Sequence, residues 1–295
     1  MSGRAKRKVR PQRLFFVILF AVGFLVAIYP VISNYYYRQV QQQEAMQFES
    51  ERTALSPEEV ERRMALAEAY NATLDPSRMA DPYTALEKRG VAEYARMLEL
   101  HEMIGYVEIP KIAVDLPVHA GTSVAVLDQG AGHLEGTSLP IGGASTHAVI
   151  TAHRGLAKAR MFRDLGQLVV GDVFYFHNIA GTLAYEVDQI LTVEPSDFDP
   201  VLVQEGEDLM TLLTCTPYMV NSHRLLVRGH RVEYVDPIEE QALRAPEGLD
   251  YAAYLPFVLI AVIVLVVVAL VQYRDVRALV RRRDAEWVDS DDEAM

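Results

Sequence analysis

Residues 208–234 read DLMTLLTCTPYMVNSHRLLVRGHRVEY. Leu209–Thr214 is an apolar run of strand length that leads straight into Cys215. Thr216-Pro217-Tyr218 ends it, since a proline cannot continue a central ladder. A polar loop, Met219–His223, leads to a second run carrying Arg224, Leu225, Leu226 and Val227. Consecutive strands joined by a loop of this length are expected to be neighbours. That pairing would bring Cys215 and Arg224 together at one end of a barrel.

Cys215 is the chain's single cysteine. A lone thiol is either a reactive group or a small buried hydrophobe at a strand end. To act as a nucleophile it must be a thiolate, which a nearby cation favours. A histidine can accept and return the proton, and an oxyanion needs a donor. A permanently charged guanidinium supplies a fork of such donors. Among eight histidines, His153 ends the apolar run Ala148–Ala152 and precedes Arg154-Gly155, a rim position. His133, in Gly132-His133-Leu134-Glu135-Gly136, and His223, beside Arg224, remain open as alternatives. No Gly-x-Ser-x-Gly elbow, HExxH pair or Gly-rich phosphate loop competes with this set.

The texture from Ile104 onward is that of short strands punctuated by Gly, Pro and Asp. Candidates are Gly105–Ile109, Ala113–His119, Ala148–His153, Val173–His177, Leu183–Val193, Asp208–Cys215 and Leu225–Tyr234. Such spacing indicates a sandwich or barrel. Helical material precedes it. Ser56, Pro57 and Glu59 form a helix start with a capping box, followed by the stripe Val60, Met64, Ala67 and Leu74. Asn71-Ala72-Thr73 matches a glycosylation sequon, a three-residue pattern that is also common by chance. Asp75-Pro76 and Asp81-Pro82-Tyr83 break the helix into a loop, and a short helix is expected over Val91–His101.

Two uncharged stretches, Leu14–Ile32 and Leu255–Val271, have the length and composition of membrane spans. The first is too long for an ordinary signal-peptide core and runs into Tyr35-Tyr36-Tyr37, an interfacial anchor. Arg4, Lys6, Arg7, Lys8, Arg10 and Arg13 precede the first span. Arg274, Arg277, Arg281, Arg282 and Arg283 follow the second. Both clusters should stay in the cytoplasm, leaving the middle of the chain outside. The net charge of −12 argues against nucleic acid as a partner. The expected organisation is a basic cytoplasmic segment (1–13), a transmembrane helix (14–32) and a polar stalk (33–55). N-terminal helices with a lid loop (56–103) and a β-barrel catalytic domain (104–236) follow. A linker (237–254), a second transmembrane helix (255–271) and a cytoplasmic tail (272–295) complete it.

Thr211-Leu212-Leu213-Thr214-Cys215 resembles the TLxTC signature of the sortase family, and Thr151–Gly155 resembles the segment holding that family's catalytic histidine. Cys215–Tyr218, Asn221–Gly229 and Gly132–Pro140 are similar to class C, the pilin-polymerising sortases. The resemblance covers most of residues 56–235. It implies a mainly β fold: a sortase-type closed β-barrel with N-terminal lid helices and two flanking transmembrane helices. It implies Cys215 as nucleophile, His153 as acid and base, and Arg224 as the cation that orients the substrate or stabilises the oxyanion. It implies a lid in which Asp81 pairs with Arg224 and Tyr83 packs on Cys215, with Pro82 between them. The implied reaction is cleavage of an LPxTG-like sorting signal and transfer to a Lys amine of the next pilin, outside the Gram-positive cell membrane. No metal or other cofactor is implied. Two departures stand out: Tyr83 where Trp or Phe is more usual, and Met219 where class C has Gly. Competing readings are a sortase that anchors surface proteins to peptidoglycan, a cysteine hydrolase, and a non-enzymatic membrane scaffold.

Overall fold

The computed structural model describes residues 11–74, 97–100, 102–156, 159–234 and 274, with side chains from residue 19 onward. Asp81, Pro82, Tyr83, the second apolar stretch at 255–271 and most of the short helix expected over Val91–His101 lie outside these residues.

The first described element is α1 (Pro11–Ala54), a helix that includes Pro30. It is long and apolar enough to cross a membrane. The stretch read from sequence as a polar stalk is the C-terminal part of this helix. Gln41, Ala45 and Phe48 are buried along it, at the four- and three-residue steps of a helical stripe. Phe48 packs edge-on against Tyr106, with ring centroids 6.2 Å apart. The Gln/Glu-rich composition hides this stripe, because polar residues surround its few buried positions.

Helix α2 (Pro57–Asn71) starts where expected. Ser56 accepts a hydrogen bond from the Glu59 backbone N–H at 3.2 Å. The reciprocal half of the capping box is absent. The Glu59 carboxylate instead binds Arg62 and Arg63, at 2.8 and 2.6 Å. Ala67 is fully buried, and Met64 and Tyr70 pack against the core. Asn71, the first residue of the sequon pattern, makes a structural contact. Its amide donates to the Leu139 carbonyl at 3.3 Å and accepts from the Leu139 N–H at 2.7 Å. The side chain ties α2 to the barrel, so its nitrogen is engaged.

Eight strands follow: β1 (Met103–Ile109), β2 (Val114–Ala120), β3 (Ala131–His133), β4 (Thr146–Thr151), β5 (Val173–His177), β6 (Thr182–Val193), β7 (Asp208–Thr216) and β8 (His223–Val232). They close into a barrel in the order β1-β2-β3-β4-β7-β8-β6-β5, with β5 back on β1. A short helix, α3 (Val124–Gln129), connects β2 to β3. Seven of the strands match the expected segments within one or two residues at most ends. β3 was not anticipated. Ala113 is excluded from β2 because its φ of 50° breaks the extended run.

Alternation along β7 sets the two faces. Met210 and Leu212 enter the main core with Ile150 and Val227. Leu213 joins a second cluster with Leu134, Val149, Val201 and Leu226 on the other face. Covering both faces explains why β7 reads as a continuous apolar run. Two residues beyond Leu213 and two before Leu226, the same face carries Cys215 and Arg224.

Candidate active site

β7 and β8 pair antiparallel with Cys215 directly opposite Arg224. Directly opposed residues present their side chains to the same face. Cys215 is 5% exposed and Arg224 only 3%. The Arg224 Nη1 donates to the carbonyls of Asn221 and His223, both at 3.0 Å, which folds the β7–β8 loop back onto its own strand. The hairpin expected from sequence is therefore the observed one.

On the other flank β4 runs parallel to β7, with Thr151 aligned to Leu213. The ladder extends past its last strand pair. The Ala152 N–H donates to the Leu213 carbonyl at 3.2 Å, and the Thr214 hydroxyl donates to the Ala152 carbonyl at 2.8 Å. This carries His153 alongside Cys215. Gly155, with φ of 111°, turns the chain away, and the Phe162 N–H holds the His153 carbonyl at 3.0 Å. His153, Arg154, Gly155, Cys215, Tyr218, Met219 and Asn221 line a cavity of about 150 Å³.

Burial lowers the His153 pKa from its ordinary value, and the negative charge of Asp128 on α3 partly opposes this. The imidazole is thereby biased towards its neutral form near pH 7.

The other two candidate histidines sit elsewhere. His133 is fully buried, with Nε2 2.7 Å from the Ser138 carbonyl and 3.2 Å from the Thr137 hydroxyl. Burial pushes it down to about 4, a neutral group that shapes the turn after β3. The His223 side chain is exposed, with Nε2 3.2 Å from Glu194 and Nδ1 2.8 Å from Ser222. Neither lines the cavity around Cys215. Of the residues singled out from sequence, the structure brings Cys215, His153 and Arg224 together. Asp81, Pro82 and Tyr83 lie outside the described residues.

Arg154 escaped the sequence reading. Its Nη1 donates to the Cys215 carbonyl at 3.3 Å and to the Thr216 hydroxyl. Its only signal was adjacency to His153, which gives no hint of the partner strand. The Tyr218 ring also stands against a cation, the Arg163 guanidinium, 5.2 Å from its centroid. Among the described residues no group of three or more His, Cys, Asp or Glu has the arrangement of a metal site.

A thiol, an imidazole and a guanidinium at one rim are the parts of an acyl-transfer centre. Comparison with known proteins gives the same answer. A family model, the Sortase domain, matches residues 107–232. Among solved structures, sortase C-1 of Streptococcus pneumoniae is 59% identical, with a TM-score of 0.64, over 65% of this chain and 100% of that one. The pilus-related sortase C of Group B Streptococcus is 57% identical, with a TM-score of 0.61, over 63% of this chain and 96% of that one. Among curated proteins, sortase D of Bacillus subtilis is 30% identical over 137 residues, 45% of this chain and 66% of that protein. The chain belongs to the sortase family of cysteine transpeptidases.

Proposed function

We propose that this sortase polymerises pilins, with Cys215 as nucleophile, His153 as general acid and base, and Arg224 as the cationic donor. The observation that carries the reading is the Cys215–Arg224 register pair with His153 on the neighbouring parallel strand end. The pilin substrate rests on the pilus-related relatives at this level of identity. His153 takes the proton of the Cys215 thiol, and the resulting thiolate attacks the Thr carbonyl carbon of the Thr–Gly bond in an LPxTG-like signal. His153 protonates the departing Gly amine, which leaves a thioester on Cys215. A Lys amine of the next pilin then attacks the thioester carbonyl, His153 takes the proton that this amine loses, and the thiolate is released. Arg224 balances the negative charge on the carbonyl oxygen in both tetrahedral states.

The chain is anchored by α1 and by a second span at residues 255–271, with the barrel outside the cell and both basic clusters inside. Reporter fusions at both termini that respond only to cytoplasm test this topology, and an extracellular C-terminal reporter would reject it.

The test of function incubates the full-length enzyme with two purified pilin subunits and identifies the products by mass spectrometry. Ladders joined through a Lys isopeptide are expected, and Cys215→Ala should form none. Wall-linked monomers in cells would point to the peptidoglycan-anchoring class. Release to water with an amine acceptor present would point to a hydrolase. Intact pili with Cys215→Ala would leave only a scaffold.

A further inference from the structure

β7 lies between β4 and β8 in the barrel, and each neighbour delivers a guanidinium to its end. Arg224 comes from β8. Arg154 comes from the turn after β4, one residue past His153. One nitrogen of Arg154 spans two consecutive residues of the nucleophile strand, the Cys215 carbonyl and the Thr216 hydroxyl. The guanidinium also sits over Gly166, where an added Cβ would lie 3.4 Å from Nη2. Among the described residues its buried Nε–H has no hydrogen-bond partner.

That last detail separates two readings of Arg154. A buried donor left unmade is a cost to the fold, and an apolar side chain of similar length would not incur it. An arginine kept only for stability would be a poor choice here. An arginine kept to clamp the strand end beside His153 accounts for both the contacts made and the donor left over. We propose that Arg154 is a positioning residue for transpeptidation, locking the Cys215–Thr216 strand end to the His153 turn. The clamp keeps thiol and imidazole in one geometry through both acyl-transfer steps. It acts through the backbone of Cys215, and it rests on the reading of Cys215 as nucleophile.

The experiment uses the full chain in detergent, a sorting-signal peptide and an amine acceptor, with Arg154→Met, Arg154→Lys and Cys215→Ala. Arg154→Met should lower kcat on the order of tenfold or more while KM stays within about twofold. Its thermal midpoint should match the parent. Arg154→Lys, which keeps the charge but not the planar fork, should recover part of the lost kcat. An Arg154→Met enzyme with parental kcat, or with its whole loss in KM, overturns the clamp. If Arg154→Met fails to fold, Arg154→Lys decides: a folded Lys variant with reduced kcat supports the clamp, and one with parental kcat overturns it. Activity in Cys215→Ala would instead remove the underlying nucleophile assignment.

Discussion

The Thr214 hydroxyl donates to the Ala152 carbonyl at 2.8 Å, joining the residue before Cys215 to the residue before His153. Thr214 is fully buried, so this bond forms in a site that water does not compete for. Thr214→Val keeps the shape and removes the donor. It should cost about 1 kcal/mol of stability, read from the urea midpoint. Because the bond sets the separation of the two segments, kcat should also fall on the order of tenfold. A variant that loses stability but keeps full kcat would make the bond structural only.

Met219 adopts φ of 65° and is 81% exposed. A side chain with a Cβ pays roughly 1 kcal/mol for the left-handed region, and a β-branched one more. Asn221, at φ of 59°, is of a type that tolerates it. Met219→Gly should therefore be neutral to stabilising by up to about 1 kcal/mol, the gain trimmed by a more flexible unfolded chain. Met219→Val should be destabilising by about 1 kcal/mol or more. Urea unfolding of both variants checks the sign. Equal stabilities would mean that the loop, and not the residue, sets this conformation.

The hairpin at Cys215 and Arg224 was legible because both strands and their loop are contiguous in the chain. The β4–β7 contact was not, since its two strands are far apart in sequence and pair in parallel. No local pattern announces such pairing, and Arg154 was missed for that reason. Position alone left His153, His133 and His223 open, and family resemblance chose among them. β3 has only Ala131, Gly132 and His133, too short to show a period of two. It exists because β2 and β4 flank it. The buried stripe of α1 was hidden for the opposite reason, a polar composition around a few buried residues.

Stability should depend on pH through His133 and His147. Burial is the main cause that pushes each from 6.5 to about 4. His147 sits between the Leu202 carbonyl and the Thr211 hydroxyl, at 3.0 and 2.8 Å. A depressed histidine takes up its proton more readily unfolded. Stability is thus full above about pH 6.5 and falls as pH drops towards 4, by roughly 3 kcal/mol at most for each. Asp115, raised by burial first and then by Glu108, acts in the opposite direction. Urea midpoints from pH 7 to pH 4 should fall, and His147→Gln should fall less steeply because it has no proton to gain. An identical slope in His147→Gln would show that His147 does not titrate with unfolding.

Cys215 is buried, so reagents for thiols must wait for an opening. The resemblance to class C implies that Asp81 and Tyr83 control that opening, one through Arg224 and the other over the sulfur. Asp81→Ala and Tyr83→Ala should each raise the rate of Cys215 labelling, tenfold for every 1.4 kcal/mol of closure lost. Labelling followed by intact mass measures this directly, since the chain has a single cysteine. If the two residues close one lid, removing either opens it. The double variant should then label little faster than the faster single variant, a departure from additivity. Fully additive rates would mean two separate barriers, and unchanged rates in both single variants would count against a lid made by these residues.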